Sequence, residues 1–350
     1  MTKKKTSVVA LVRGEDRRQN ILHALRLLDK EIAVGRKPLV KPNFVSTKVQ
    51  LAASHADAAR AVVDFLREKT SRPIIIGEGA AASDTFKGYE NFNFLKLRGK
   101  YQDVKFTDLN RDDFEIVTLY DQKLNPQPFR IARTTLESDF RVSLSIPKTH
   151  DATCITLSLK NMVVGSLIRD VGPNIVNLAG RIADKGMRLV PSRIKPLFSF
   201  QGLSRLGITK IGGSDKVKLH QGYLNIHLFL YQLARIIPPH LCVLDGFEAM
   251  EGNGPVSGDR VDWRIAIAGT DFLATDTVAA VLMGFDPEDI GYLYFCKSDK
   301  LGEGNIDKIK VIGTPLKECL RPFRPHQSYK KQLDWKKNSK KVFKMLRVLL

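Results

Sequence analysis

The sequence predicts an α/β protein with a doubly wound, mainly parallel sheet and helices on both faces, extended by a basic insertion and a C-terminal amphipathic helix. Three observations predict it. Short β-rich runs alternate with helical stretches, the rhythm of βαβ units. Several of those runs are apolar at consecutive positions, as strands covered on both faces are. Polar residues suited to chemistry follow the runs directly, at the carboxyl edge where open α/β sheets bind ligands. Strands are expected at 7–12, 37–41, 73–77, 104–106, 115–119, 141–146, 241–244, 264–268 and 308–312. Helical periodicity marks 16–28, 56–68 after a Ser54 cap, 225–236 and 271–283 with Asp271 as cap. No internal repeat interrupts this order.

One stretch breaks the rhythm. Residues 172–218 are rich in Gly, Pro and Ser and carry no acid between Asp184 and Asp215, while six basic residues stand among apolar ones. The stretch reads as an insertion that would gate a site or touch an anionic surface, with a solvated loop as the plainer alternative. The division is therefore 1–320 for the α/β domain and 321–350 for a basic tail.

Composition narrows the class. Of 350 residues, 43% are apolar and 27% charged, globular proportions without a disordered chain's excess of charge. No window approaches the roughly 18 to 20 apolar residues of a membrane span. The apolar run after the first lysines breaks at Arg13 and reads as a first strand, so a cytoplasmic location is expected. Cys154, Cys242, Cys296 and Cys319 lie far apart, with no C-x-x-C pair for zinc, an iron–sulfur cluster or a redox site, and read as buried thiols in a reducing compartment.

The net charge of +19 is unevenly placed, since residues 321–350 hold ten Lys or Arg against the single acid Asp334. Wound at 100° per residue, 332–350 sets Lys336, Lys337, Lys340, Lys341, Lys344 and Arg347 on one side. Trp335, Val342, Phe343, Met345, Leu346, Leu349 and Leu350 fall on the other. The segment from Trp335 to Leu350 thus suits an anionic membrane surface, which would make the chain membrane-associated peripherally, or a protein partner's groove. Packing of the same face on the protein's own core is the alternative. Nucleic acid is less favoured, because a phosphate-binding arm needs no apolar face.

Candidate chemistry begins after the 141–146 strand. Lys148 and His150 emerge at its carboxyl end, and Lys160, Asn161 and Gly165 follow. Two ammoniums and an imidazole in one crevice would hold a small anionic ligand, a phosphate or carboxylate, and crowding would lower a lysine's pKa toward that of a base. Separate surface residues at strand ends are the plainer reading. Asn43 and Glu78 end two earlier strands and would line the same crevice as substrate-binding groups, with Asn161, His220 and Asn253. Asp245 ends the 241–244 strand, and Glu248 and Glu251 are expected in a glycine-rich loop beyond it. Asp245 or Glu251 would act as general base or hold a divalent cation, while solvated loop carboxylates are the alternative. The metal, if any, is unknown, and so is any cofactor. Asp276, on an apolar helix, is expected to be buried and paired, for example with a site lysine.

Taken in order, Pro147-Lys-Thr-His150 with Lys160-Asn161, His220, Asp245-Gly with Glu251-Gly-Asn-Gly-Pro255, Ala274-Thr-Asp276 and Ile306 to Gly313 resemble the blocks of the domain of unknown function 362, DUF362. The resemblance covers roughly residues 7–313 and implies the α/β core with its polar crevice. Many members carry a ferredoxin-like cysteine cluster near the C-terminus, whereas this chain has a single cysteine after Gly313, Cys319, and a basic helix in place of the cluster. The expected function is an enzyme or ligand-binding protein for a small anion, with Lys148, His150, Lys160, Asp245 and Glu251 as catalytic candidates. Two other classes stand beside it: a redox-associated partner or assembly factor of an iron–sulfur protein, and a basic nucleic-acid or ribosome-associated protein.

Overall fold

The computed structural model describes residues 6–170 and 214–350, so most of the expected insertion at 172–218 lies outside the described residues. In chain order the strands are β1 Val8–Arg13, β2 Pro38–Lys41, β3 Ile74–Glu78, β4 Val104–Asp108, β5 Phe114–Tyr120, β6 Pro126–Ala132, β7 Phe140–Ser145, β8 Lys148–His150, β9 Cys154–Thr156, β10 Leu241–Glu251, β11 Asp259–Gly269 and β12 Lys310–Gly313. The main sheet runs β12-β1-β11-β10-β7-β2-β3-β4, with β8 pairing β10 and β9. From β10 to β4 all neighbours are parallel, and β11 enters antiparallel between β10 and β1. The doubly wound, mainly parallel α/β expectation therefore holds.

Alternation along the strands separates two cores. Val9 and Leu11 of β1 join one apolar cluster, with the helices Tyr223–Ile236, Phe272–Leu282 and Gly291–Ser298. Ala10 and Val12 join the other, with the helices Arg17–Leu27 and Ala56–Lys69. Successive side chains point to opposite faces, which is why a run apolar at every position demands cover on both.

The differences from expectation are local. The 115–119 strand forms, but pairs with β6 in a separate hairpin. Strands β6, β8 and β9 were not expected; β8 and β9 are three residues each, too short to show a period. The helix after β2 is capped by His55, whose Nδ1 accepts from the Asp57 N–H, because the Ser54 hydroxyl is spent on the Asn43 N–H and the Leu144 carbonyl. Strand β10 does not stop at 244. It continues to Glu251 through a bulge between Gly246 and Glu248, pairing with β11, so Asp245, Glu248 and Glu251 lie on a strand and only the turn beyond is a loop. The tail is not one helix either. Short turns at Tyr329–Gln332 and Leu333–Lys336 precede a left-handed Asn338 and the helix Ser339–Leu349.

Candidate functional site

Period-two geometry places Lys148 and His150 on one side of β8, with Thr149 turned away to donate to the Gly252 carbonyl. Lys148 is fully buried. Its ammonium donates to Asn43 Oδ1 and to the Ala52 carbonyl at 3.1 Å, the two ends of the 42–55 segment. It thus ties that segment down as a strap. Burial, with Lys160 nearby, brings Lys148 down to about 7.

The helix Ser158–Gly165 carries Lys160 and Asn161 in its first turn. Asp276 anchors it, accepting from the Ser158 and Leu159 N–H groups at 3.0 Å each and from the Ser158 hydroxyl. Asp276 is thus buried as expected, but paired with a helix N-terminus and not with a lysine. Burial lifts it to about 7. Asn161 donates to the Lys41 and Leu144 carbonyls and to Ser143, and accepts from the Lys41 ammonium at 3.0 Å. Its role is to clamp the helix to the ends of β2 and β7.

Lys41, fully buried, pairs with Glu78 and also donates to the Pro42 carbonyl. Burial lowers Lys41 and raises Glu78, and each partner opposes the other's shift. Beside the pair lies a cavity of about 40 Å³, room for more than one water and for the oxygens of a small anion, lined among others by Asn43, Glu78, Lys160, Asn161 and Lys216. Lys216, from the short helix Asp215–Lys218, donates to the Gly79 carbonyl and to Asn110 Oδ1 at 3.0 Å. Burial brings Lys216 to about 7 and Lys160 to about 8. Among the described residues neither ammonium has a carboxylate in ion-pair contact. Two glycines permit the approach: a Cβ at Gly165 would meet the Lys41 side chain, and one at Gly79 would sit 2.7 Å from Lys216 Nζ.

Lys160 Nζ lies 2.9 Å from His150 Nε2. The other ring nitrogen, Nδ1, is 2.9 Å from an Asp151 oxygen and 3.0 Å from the Ala152 N–H. Both tautomers are therefore satisfied. When Lys160 is charged it donates to Nε2, and Nδ1–H faces Asp151; when Lys160 is neutral, Nε2–H donates to the amine and Nδ1 accepts from Ala152. A proton passed from Lys160 to Nε2 would push the Nδ1 proton toward Asp151, whose exposed carboxylate, held low by its hydrogen bond to His150, would hand it on to water. Burial and Lys160 hold His150 well below the usual imidazole range, so the ring stays neutral between transfers. His220 stacks on His150 with ring centres 6.2 Å apart and is oriented by its bond to the Lys216 carbonyl.

Of the expected site residues, Asn43, Glu78, Lys160 and Asn161 line the cavity, while Lys148 and His150 stand behind it on Asn43 and Lys160, and His220 stacks on His150. Asp245, Glu251 and Asn253 do not line the cavity. Asp245 is buried against Arg17 at 3.1 Å and rises to about 6 through burial; Glu251 accepts from the Arg324 N–H; Asn253 is exposed in the turn. Arg17 also reaches Glu248 at 2.6 Å, in a separate cleft of about 190 Å³ that shares the strap residues Gln50 and Ala53. The sequence reading missed Lys41 and Lys216. Lys41 had a signal, a charge inside a strand that is otherwise buried, whereas Lys216 was one basic residue among many. Among the described residues no group of three or more His, Cys, Asp or Glu is placed to hold a metal ion. All four cysteines are buried and unpaired, with Cys154 pushed up to about 12 by burial.

A family model for the domain of unknown function DUF362 matches residues 39–281. The chain belongs to the DUF362 family. Lys41, Glu78, Lys148, Lys160 and Lys216 all fall within the DUF362 match. A thylakoid-associated protein of Synechocystis, sll1697, is 20% identical over 274 residues, 78% of this chain and 70% of its own length. A solved structure, the lactate racemase apoprotein from Thermoanaerobacterium thermosaccharolyticum, aligns at 12% identity with a TM-score of 0.42, over 75% of this DUF362 chain and 54% of that one. No helix among the described residues is long and apolar enough to cross a membrane.

Proposed function

We propose that the crevice binds a small carboxylate or phosphate compound and that Lys160, relayed through His150 and Asp151, moves a proton on it, which makes the chain an enzyme. The observation that carries this is the charge balance of the cavity. Lys160 and Lys216 line it, buried and without carboxylate contacts among the described residues, while the lining Glu78 is already matched by Lys41. Two buried ammoniums that feel carboxylates such as Glu78 and Asp151 only at a distance are costly, and an anion in the cavity would supply the missing counter-charge. A lysine near pH 8 has both protonation states populated at neutral pH, as acid–base work requires. Native mass spectrometry of gently purified protein, followed by thermal-shift assays with the mass found, tests the proposal. Stabilisation by that compound should vanish in Lys160→Met and Lys216→Met. A compound that stabilises both variants as well as the wild type would refute it.

A second reading concerns place. The basic tail leaves apolar side chains in solvent, and a thylakoid-associated relative is consistent with peripheral attachment to a membrane surface. Sedimentation with vesicles tests it, and a chain that stays in the supernatant in every lipid mixture refutes it.

A further inference from the structure

The tail divides its apolar residues between two tasks. Trp335 and Phe343 pack inward, Phe343 lying 4.8 Å from the Phe295 ring and 5.1 Å from Tyr231, and Leu346 is fully buried. These residues belong to the core and are not available to a partner. Met345, Val348 and Leu349 are related by three and four positions and form a second strip on the helix Ser339–Leu349. This strip is exposed, Met345 at 47%, Leu349 at 50% and Val348 at 84%. Lys341 and Lys344 each stand one turn before a member of it. Beside the strip, a groove of about 480 Å³ against the helix Gly291–Ser298 is lined by Tyr294, Ser298, Lys340, Lys344, Arg347 and Val348. Arg347 is held there by Asp299 at 2.8 Å, whereas Lys340, Lys341 and Lys344 have no carboxylate in ion-pair contact among the described residues.

We infer that this outer face docks on an anionic lipid bilayer, with Met345, Val348 and Leu349 entering the acyl boundary and the groove lysines receiving headgroup phosphates. The inference rests on the membrane-surface reading above and names its lipid and its residues. Charge complementarity selects the occupant. A basic rim around a narrow apolar strip, on a helix already fixed parallel to the surface by Phe343 and Leu346, matches the depth profile of an anionic interface. A nucleic acid would use the lysines and leave the strip in water.

The test is co-sedimentation of the full chain with vesicles of phosphatidylcholine alone and of equimolar phosphatidylcholine and phosphatidylglycerol. Binding is expected only to the second. Lys340→Gln with Lys344→Gln, the two groove lysines, should weaken it about 25-fold, at about fivefold per lysine. Met345→Asp with Val348→Asp should reduce it to background, with thermal stability unchanged because both side chains are exposed. Failure of the wild type to bind would overturn the inference and the membrane reading together. Wild-type binding that both double variants retain would overturn the inference alone, since attachment would then lie elsewhere. An apolar-strip variant that keeps its vesicle binding but loses a dimer seen by light scattering would assign the strip to a second copy and overturn it as well. RNA binding lost only with the lysines, without vesicle binding, would do the same.

Discussion

Glu78 and Lys41 offer the sharpest check on the energetics of the crevice. Both are essentially excluded from solvent, and Lys41 Nζ has two further acceptors, the Pro42 carbonyl and Asn161 Oδ1. Replacing Glu78 by Leu leaves the Lys41 ammonium buried among neutral acceptors, a loss of about 3–5 kcal/mol for one partner of a buried pair. Lys41→Met should cost less, near the lower end of that range, because Lys216 still faces Glu78 and offsets part of its charge. The double variant Lys41→Met, Glu78→Leu removes both charges and leaves only the Asn161 and Pro42 acceptors short of a donor, about 1–2 kcal/mol. It should therefore be more stable than Glu78→Leu alone, with a coupling of at least about 3 kcal/mol across the cycle. Urea unfolding followed by the fluorescence of Trp263 and Trp335, both buried, reads these differences. A Glu78→Leu loss under about 1 kcal/mol, or a double variant whose loss equals the sum of the singles, would refute the placement of a charged pair under the cavity.

Three further outcomes follow from the same geometry. At a pH of about 7.5, Lys160 near 8 and Lys216 near 7 together lack about one proton in the free protein, so binding of sulfate, which does not titrate there, should take up about one proton. Calorimetry in two buffers of different ionisation enthalpy measures it, and an uptake of zero contradicts the counter-charge argument. Lys216 is held at about 7 when folded against 10.5 in the unfolded chain, so the unfolded chain binds the extra proton between those values and stability falls as pH drops through that window. Lys216→Met should flatten the stability–pH slope by about 1.4 kcal/mol per pH unit there, read by denaturant midpoints at pH about 8 and 9.5. Asp276→Ala strips three donors at the start of the Ser158–Gly165 helix of their acceptor and should destabilise by about 2–4 kcal/mol, with Ser158→Ala far milder.

The legible part of the fold was that written in period and length. Strands β1, β2, β3 and the start of β10 are apolar at successive positions because both faces are covered, β4 and β7 alternate apolar with polar residues, and the long helices carry their stripe. What escaped depends on contacts distant in sequence. Strand β10 runs past Leu244 only because β11 pairs with it to Glu251, and an Asp-Gly after an apolar run looks like a turn until that partner is known. Ser54 looked like a cap, but the neighbouring β7 carbonyl claimed its hydroxyl. In the site, Lys148, His150, Lys160 and Asn161 were legible as residues at a sheet's carboxyl edge. The tying of Lys148 into the strap was not, and Lys216 was one basic residue at the end of a stretch rich in them. The tail's wheel treated 332–350 as one helix and left Val348 off its apolar side, because a wheel has no means of showing that the left-handed Asn338 restarts the helix and that half the apolar side faces home.

The sheet order has a practical meaning for any attempt to cut the chain at its family boundaries. The DUF362 match begins at residue 39, beyond β1, and ends at 281, before β12, yet β1 and β12 lie side by side and β1 covers the whole inner half of β11. A fragment reduced to 39–281 would bare the edge of β11 from Ile265 to Gly269, now buried, as a long apolar template for pairing with other copies. The smallest piece that keeps every strand of the main sheet runs from residue 8 to residue 313, so two short strands from opposite ends of that piece cover β11 and move the sheet's edge out to the four-residue β12.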